Sequence, residues 1–208
     1  MIAQAPTVAR AVCALRGERV QGHVIDLVPY SAAHHERVIA LRNTERASYF
    51  LHQPAPLTRE GQAGWFTSYL DKTDDLQWAI VRKDGAVVGA TALYGIADDR
   101  SLAEKGRLVA DPSLSKEGPY VLEAELLLLD VAFGRLDVRA VTTCVRDDNG
   151  VMQHINARLG FERSGQHFIR GVEYFDYRLT ADRYAPETLR ATAVAWAQRT
   201  SRSTGVLR

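Results

Sequence analysis

Cysteine is nearly absent from this chain: of 208 residues only Cys13 and Cys144 are cysteine, far apart and at no metal-ligand spacing. Six histidines do not repair that lack. His34-His35, His52, His154 and His167 have no paired spacing with Cys, Asp or Glu, so a zinc site is rejected. Charge of one sign is missing too. A net charge of +1 makes no strong field for nucleic acid or an anionic membrane, and both are excluded as partners. Long apolar runs are absent: Leu126–Leu129, flanked by Glu125 and Asp130, falls far short of the roughly 20 residues that span a bilayer. The N-terminus, MIAQAPTVARAV, lacks the sustained apolar core of a signal peptide, which leaves the cytoplasm as the expected location. There is no internal repeat and no low-complexity tract.

What remains is ordinary for one globular domain: 46% hydrophobic and 25% charged residues. The organising stretch is 104–136. A short apolar strand at Arg107–Ala110 is stopped by Asp111-Pro112, a polar loop carries Gly118, and a long apolar helix starts at Pro119 or Tyr120. Strand, tight loop and helix N-terminus in that order make an anion site, because the first helical turn has unpartnered N–H groups and the positive end of the macrodipole. Pro119 suits the first helical position, having no N–H to lose. The loop is expected to hold the pyrophosphate of a nucleotide-like cofactor.

The rest of the chain is read around it. Residues 1–22 form an N-terminal extension or a leading strand. Val24–Val28 is a strand closed by Pro29, and Ser31 caps a helix through His34–Asn43 with Val38, Ile39 and Leu41 on its buried side. Pro54 and Pro56 break the chain before a second helix at Thr58, with Trp65, Phe66, Tyr69 and Leu70 at helical spacing. Trp78–Val81 and Val87–Leu93 are strands joined at Lys83-Asp84-Gly85. Strand Ala140–Val145, helix Asn149–Leu159 ending at Gly160, and strands Arg163–Ile169 and Val172–Leu179 follow, with a turn at Arg170-Gly171. A helix at Glu187–Gln198 and a loose tail complete residues 186–208. This order describes an α/β layered domain over about 23–185, a mixed sheet with helices on its faces. Cys144 reads as a small buried hydrophobe in its strand.

Two motifs carry a resemblance. Ser115-Lys116-Glu117-Gly118-Pro119-Tyr120 stands where the GNAT superfamily of acetyl-CoA-dependent N-acetyltransferases writes Q/R-x-x-G-x-G/A; Gly118 is kept, Ser115 and Tyr120 depart. Asn149, Met152, Ile155, Asn156, Arg158, Leu159, Gly160 and Phe161 are similar to that family's N-x-x-A-x-x-L-Y-x-K-L-G-F. The resemblance runs from about Val20 to Leu179. It implies a mixed, mostly antiparallel sheet flanked by helices, acetyl-CoA as co-substrate, no metal, and acetyl transfer to a primary amine by direct attack in a ternary complex.

By that resemblance, residues 115–120 cradle the cofactor diphosphate, Asn149 reaches the pantetheine arm, and Arg158 meets a phosphate or is simply solvated. A backbone N–H of Leu108, Val109 or Ala110 meets the thioester oxygen. Glu104 lies eleven positions before Ser115 (115 − 104 = 11), like the strand glutamate that one branch uses as base; its alternative is a solvated strand-end carboxylate. Asn156 stands where relatives carry a tyrosine acid near the leaving sulfur, and it can hydrogen-bond a thiolate but not protonate one. Tyr120 or water then serves as the acid, or coenzyme A leaves as the thiolate. Arg42, Asn43 and Trp65, an LRN…WF arrangement, resemble enzymes acting on nucleotide-linked amino sugars, whereas their plain readings are a helix-end charge and core packing. Acetylation of a protein N-terminus, and acyl-CoA binding without turnover, remain open, and the family is compatible with a homodimer.

Overall fold

A computed structural model describes residues 6–116 and 118–205. The elements are α1 (Val8–Leu15), β1 (Val20–Gln21), β2 (Ile25–Pro29), α2 (His35–Arg42), α3 (Glu45–Phe50), α4 (Arg59–Leu70), β3 (Leu76–Arg82), β4 (Val87–Tyr94), β5 (Ala103–Ala110), α5 (Tyr120–Asp130), β6 (Ala140–Arg146), α6 (Gly150–Leu159), β7 (Glu162–Ile169), β8 (Val172–Thr180) and α7 (Glu187–Gly205). They build one eight-stranded sheet of order β1-β2-β3-β4-β5-β6-β8-β7. Every neighbouring pair is antiparallel except β5 and β6. That exception follows from the helical crossover α5 between the two strands.

Alternation along the strands divides the core in two. Trp78 and Ile80 of β3 join the larger core with α1, α5, α6 and α7. Their neighbours Ala79 and Val81 face the other way, onto Val38, Leu41, Trp65 and Phe66 of α2 and α4. Helix α5 is buried from Leu122 to Leu129 on all sides, as a helix enclosed by a sheet and other helices must be. No helix among the described residues is long and apolar enough to cross a membrane.

The structure corrects the sequence reading in several places. The N-terminal stretch holds helix α1, whose Val8, Val12 and Leu15 are buried at helical spacing, before a two-residue strand. A further short helix, α3, precedes the proline break, capped by Thr44, whose hydroxyl accepts from the Ala47 amide. Strand β5 starts at Ala103, four residues earlier than the apolar pattern implied. Of the two starts expected for α5 the structure takes Tyr120, with Pro119 as the N-cap at φ −82° and ψ 39°. Helix α7 continues to Gly205 instead of ending at Gln198. Other expectations match closely: Thr58 caps α4, Asn149 caps α6, and α6 ends at Gly160 in the left-handed conformation.

One buried carboxylate ties the sheet edge to the central helix. Glu123 of α5 accepts the backbone amides of His23, Val24 and Ile25 at 2.6, 2.7 and 2.9 Å. Three donors on one buried acceptor is a concentrated interaction, and removing the acceptor strands all three. Glu123→Ala is expected to lower unfolding stability by about 3 kcal/mol, and Glu123→Gln by less. Urea titration checks this, and a loss within about 0.5 kcal/mol for Glu123→Ala would contradict it.

Candidate active site

The site begins where two strands part. β5 and β6 pair only at Ala103 with Val141 and Glu104 with Thr142, although the strands run on to Ala110 and Arg146. The cause lies on the other edge of β5. Its register with β4 jumps from Ala90–Val109 to Ala92–Gly106, so two residues, Arg107 and Leu108, stand opposite one. A bulge of this kind bends and twists its strand. Arg107 sits at φ +51°, held by two hydrogen bonds to the carboxylate of Asp75 at 2.8 and 2.9 Å and lying 4.3 Å over the Tyr94 ring.

The parting opens a cleft of ≈ 760 Å³ that reaches from α3 to α5 and α6. Its β5 wall includes Leu108, Val109 and Ala110. The Asp111 amide donates to the Val88 carbonyl at 2.8 Å. Successive strand amides point to opposite edges, so those of Leu108 and Ala110 face the gap while that of Val109 faces β4.

At one end of the cleft lies the loop before α5. Residues Pro112–Lys116 form a 3-10 turn, and Gly118, Pro119 and Tyr120 line the cleft. Among the described residues no side chain caps the start of α5, and the first amides of a helix can donate to a partner from outside it. Gly118 has φ +157°, and a Cβ there would fall 2.9 Å from Nε1 of Trp196 and 3.1 Å from the Tyr120 ring. Trp196 and the cleft-lining Thr192 belong to α7, which sequence reasoning left out of the site. Only tertiary packing brings that helix to the loop. Of the residues expected to bind the cofactor here, Ser115 and Lys116 have a described backbone but no described side chains, and Glu117 lies outside the described residues. From α6, Asn149 and Arg158 line the cleft; Asn149 Oδ1 accepts the Met152 amide at 3.3 Å.

Neither of the two expected catalytic side chains is part of this cleft lining. Glu104 accepts the hydroxyl of Tyr94 at 2.7 Å, where the β5–β6 pairing ends. Burial, and then the bond to Glu104, push the Tyr94 hydroxyl pKa well up. Across the gap the Cys144 thiol is also raised, first by burial and then by the charges of Glu104 and Asp176. Asp176 in turn holds His167 Nδ1 at 2.9 Å. Asn156 does not reach the cleft lining. It is 0% exposed, and neither side-chain polar atom has a hydrogen-bond partner among the described residues.

On the acceptor side, Arg42, Asn43 and Trp65 stand behind the cleft wall. Asn43 holds the loop to α4 through Leu57, accepting its amide at 2.8 Å and donating to its carbonyl at 2.9 Å. Trp65 stacks on Tyr69 with ring centroids 5.4 Å apart. Arg42 donates to Gln53 at 3.3 Å and has no carboxylate partner among the described residues; burial, then the nearby Arg107, depress its pKa, against a smaller pull from Tyr30. The lining is supplied instead by α3, through Arg46, Ala47 and Phe50. Thr44 followed by Glu45 was the readable signal for that helix. α3 is tied to the far wall: Tyr49 donates to Asp148 at 2.5 Å, and Arg146 lies 3.7 Å over its ring.

A strand pair thus parts beside a bulge, with the start of α5 at one end of the cleft. Residues 25–162, well over half of the chain, match the Acetyltransferase (GNAT) domain family. The chain belongs to the GNAT acetyltransferase family. No curated protein matches it. Among solved structures, a GCN5-related N-acetyltransferase from Brucella melitensis superposes with TM-score 0.70 at 24% identity, over 86% of this chain and 85% of that one. FdhC, a nucleotide-linked sugar GNAT in its apo form, gives 0.72 at 16% identity, over 85% and 98%. Spermidine N-acetyltransferase from Vibrio cholerae, in complex with CoA and spermine, gives 0.70 at 14% identity, over 77% and 97%. At these identities the likeness is one of fold.

The two thiols of this GNAT protein offer a direct check on the site's electrostatics. Cys13 is exposed, whereas Cys144 lines the cleft with its thiol held protonated to higher pH. A disulfide dye at about pH 8 is expected to find one fast thiol, lost in Cys13→Ser, and one slow thiol that speeds up as pH rises. Equal rates for the two thiols would contradict the environment described for Cys144.

Proposed function

We propose that the protein transfers the acetyl group of acetyl-CoA to a primary amine of a small molecule, by direct attack with both substrates bound. The observation that carries this reading is the edge of β5 left unpaired by β6 beyond Glu104, with the N-terminus of α5, uncapped among the described residues, beside it. The residues present fit an acyl-CoA: free helix-end amides suit a diphosphate, and a gap between strands suits an extended pantetheine arm. The cofactor side would comprise the Gly118–Tyr120 backbone, with Ser115, Lys116 and Glu117 preceding it, together with Asn149 and Arg158.

The chemistry asks three things of the protein. An alkylammonium with a pKa near about 10 must lose a proton before its nitrogen can attack. Glu104 takes that proton, directly or through one water, and Tyr94 orients the carboxylate. The amide of Leu108 or Ala110 meets the charge that grows on the thioester oxygen. Asn156, sealed from the cleft and lacking an acidic proton, is not assigned the role of acid.

For the acceptor, a nucleotide-linked amino sugar ranks first. Arg46 stands in the cleft wall, and Arg42 behind it has no carboxylate partner among the described residues, so this side of the cleft favours a diphosphate. A polyamine or peptide amine is the second reading, favoured by the carboxylates of Glu104 and Asp176 on either side of Cys144.

Thiol release from acetyl-CoA, screened against nucleotide amino sugars, polyamines and peptides, tests the proposal. Turnover with a nucleotide amino sugar is expected, with Glu104→Gln lowering kcat by about 100-fold and leaving acetyl-CoA affinity unchanged. Acetyl-CoA binding without thiol release from any amine would instead identify an acyl-CoA-binding protein that does not turn over. Full activity in Glu104→Gln would remove Glu104 from the role of base.

A further inference from the structure

Asn156 leaves a chemical vacancy that another pair of residues is placed to fill. When the acetyl carbon bonds to the amine nitrogen, the C–S bond breaks and its electron pair stays on sulfur. The amine proton goes to Glu104, so the departing sulfur needs either a proton from elsewhere or a cation. Asn156 supplies neither: it has no acidic proton and is shut off from the cleft.

Lys105 and Glu125 are both in the cleft lining, and they form a salt bridge with side chains only 3% and 1% exposed. Two desolvated charges in a cleft wall are a costly arrangement, and an apolar pair of similar volume would often be at least as stable. The Lys105 ammonium also sits 5.0 Å over the ring of Phe161, which lies between the C-cap Gly160 of α6 and β7. Strand alternation adds the decisive geometry. Glu104 and Lys105 are consecutive on β5 at the point where β6 departs, so their side chains leave opposite faces of the sheet. Glu104 meets Tyr94 on the face covered by α2–α4, and Lys105 meets Glu125 of α5 on the other. A base on one face and a cation on the opposite face, at one end of one gap, match an attack from the first side and a departure toward the second.

We propose that the Lys105 ammonium, positioned by Glu125, receives the sulfur of coenzyme A as a thiolate. Lys105 keeps its proton; the sulfur leaves as an ion paired with it and is protonated later by solvent. Protons and charge balance: Glu104 passes the first ammonium proton to solvent before the attack, takes the second from the nitrogen as the C–S bond breaks, and the sulfur leaves as the thiolate. This assignment rests on the function proposed above.

A binding measurement separates the two. Coenzyme A and acetyl-CoA share every phosphate, but only coenzyme A has a thiol to ionise. If Lys105 favours the thiolate, the bound thiol ionises below the free value of about 8.5, and the affinity of coenzyme A rises with pH up to that value. Calorimetry of the full chain from about pH 6.5 to about pH 9 is expected to show coenzyme A tightening about tenfold relative to acetyl-CoA, one pKa unit of preference. Lys105→Met alone would strand a buried carboxylate, so the variant to use is the double one, Lys105→Met with Glu125→Met. It is expected to lose the pH-dependent gain in the ratio of coenzyme A to acetyl-CoA affinity. An affinity ratio that is flat with pH in the parent, or a gain that survives in the double variant, overturns the assignment to Lys105. Failure of the parent to bind either ligand would overturn the proposed function itself, and the thiolate assignment with it.

Discussion

The salt bridge between Arg107 and Asp75 is the interaction on which the rest of the site depends. A non-glycine residue at positive φ costs on the order of 1–3 kcal/mol and persists only where its surroundings hold it there. Here Asp75 is buried, both of its oxygens are engaged by the guanidinium, and the Tyr94 ring closes one side of that group. Because Arg107 is fixed, β5 carries two residues against one of β4 and turns its outer edge away from β6. Without the bulge, the parallel pairing that starts at Ala103 and Glu104 would have nothing to end it. The cleft is the unpaired remainder of a sheet, and its backbone amides are available because no strand takes them.

Buried charge recurs in this molecule, each time at a junction. Glu123 fastens the first sheet edge to α5 through three backbone amides. Asp75 fixes the bulge, and Glu125 holds Lys105 at the point where the strands part. Isolated charges in these places would be expensive, so each is matched by a full set of donors or by an opposite charge. Uncharged polar groups are matched less completely: Thr91 Oγ1, Gln77 Oε1 and both polar atoms of Asn156 are buried without a partner among the described residues.

Much of the fold was legible because local chemistry and tertiary structure agree. Thr58 and Asn149 have cap-forming side chains and do cap; Gly160 ends α6 in the left-handed conformation. Arg170 and Gly171, both at positive φ, close the two-residue hairpin between β7 and β8. Other elements were missed for identifiable reasons. α1 has its buried residues at positions 8, 12 and 15, a spacing easily lost in so short a segment. β5 carries Glu104 and Lys105 directly after Ala103, and they hide a strand from any reading that looks for apolar alternation. Pro119 fits both the cap and the first helical turn by local preference, and packing decides between them.

For the site, the sequence by itself determined the order of parts: a strand, a glycine-bearing loop and a helix start, then a capped helix ending in Gly-Phe. These are short-range matters of φ, hydrogen-bond supply and apolar periodicity, and they suffice to point to a GNAT acetyltransferase. Which groups meet in the cleft was decided by the tertiary structure. Arg46 and Phe50 of α3, Thr192 of α7 and the Lys105–Glu125 pair reach it from separate elements, while Asn43, Trp65 and Asn156 are turned into loop, core or interior. The difference is physical: a residue's local conformation depends on its immediate neighbours, but the face it presents and the partner it finds depend on how the bulge at Arg107 bends a strand.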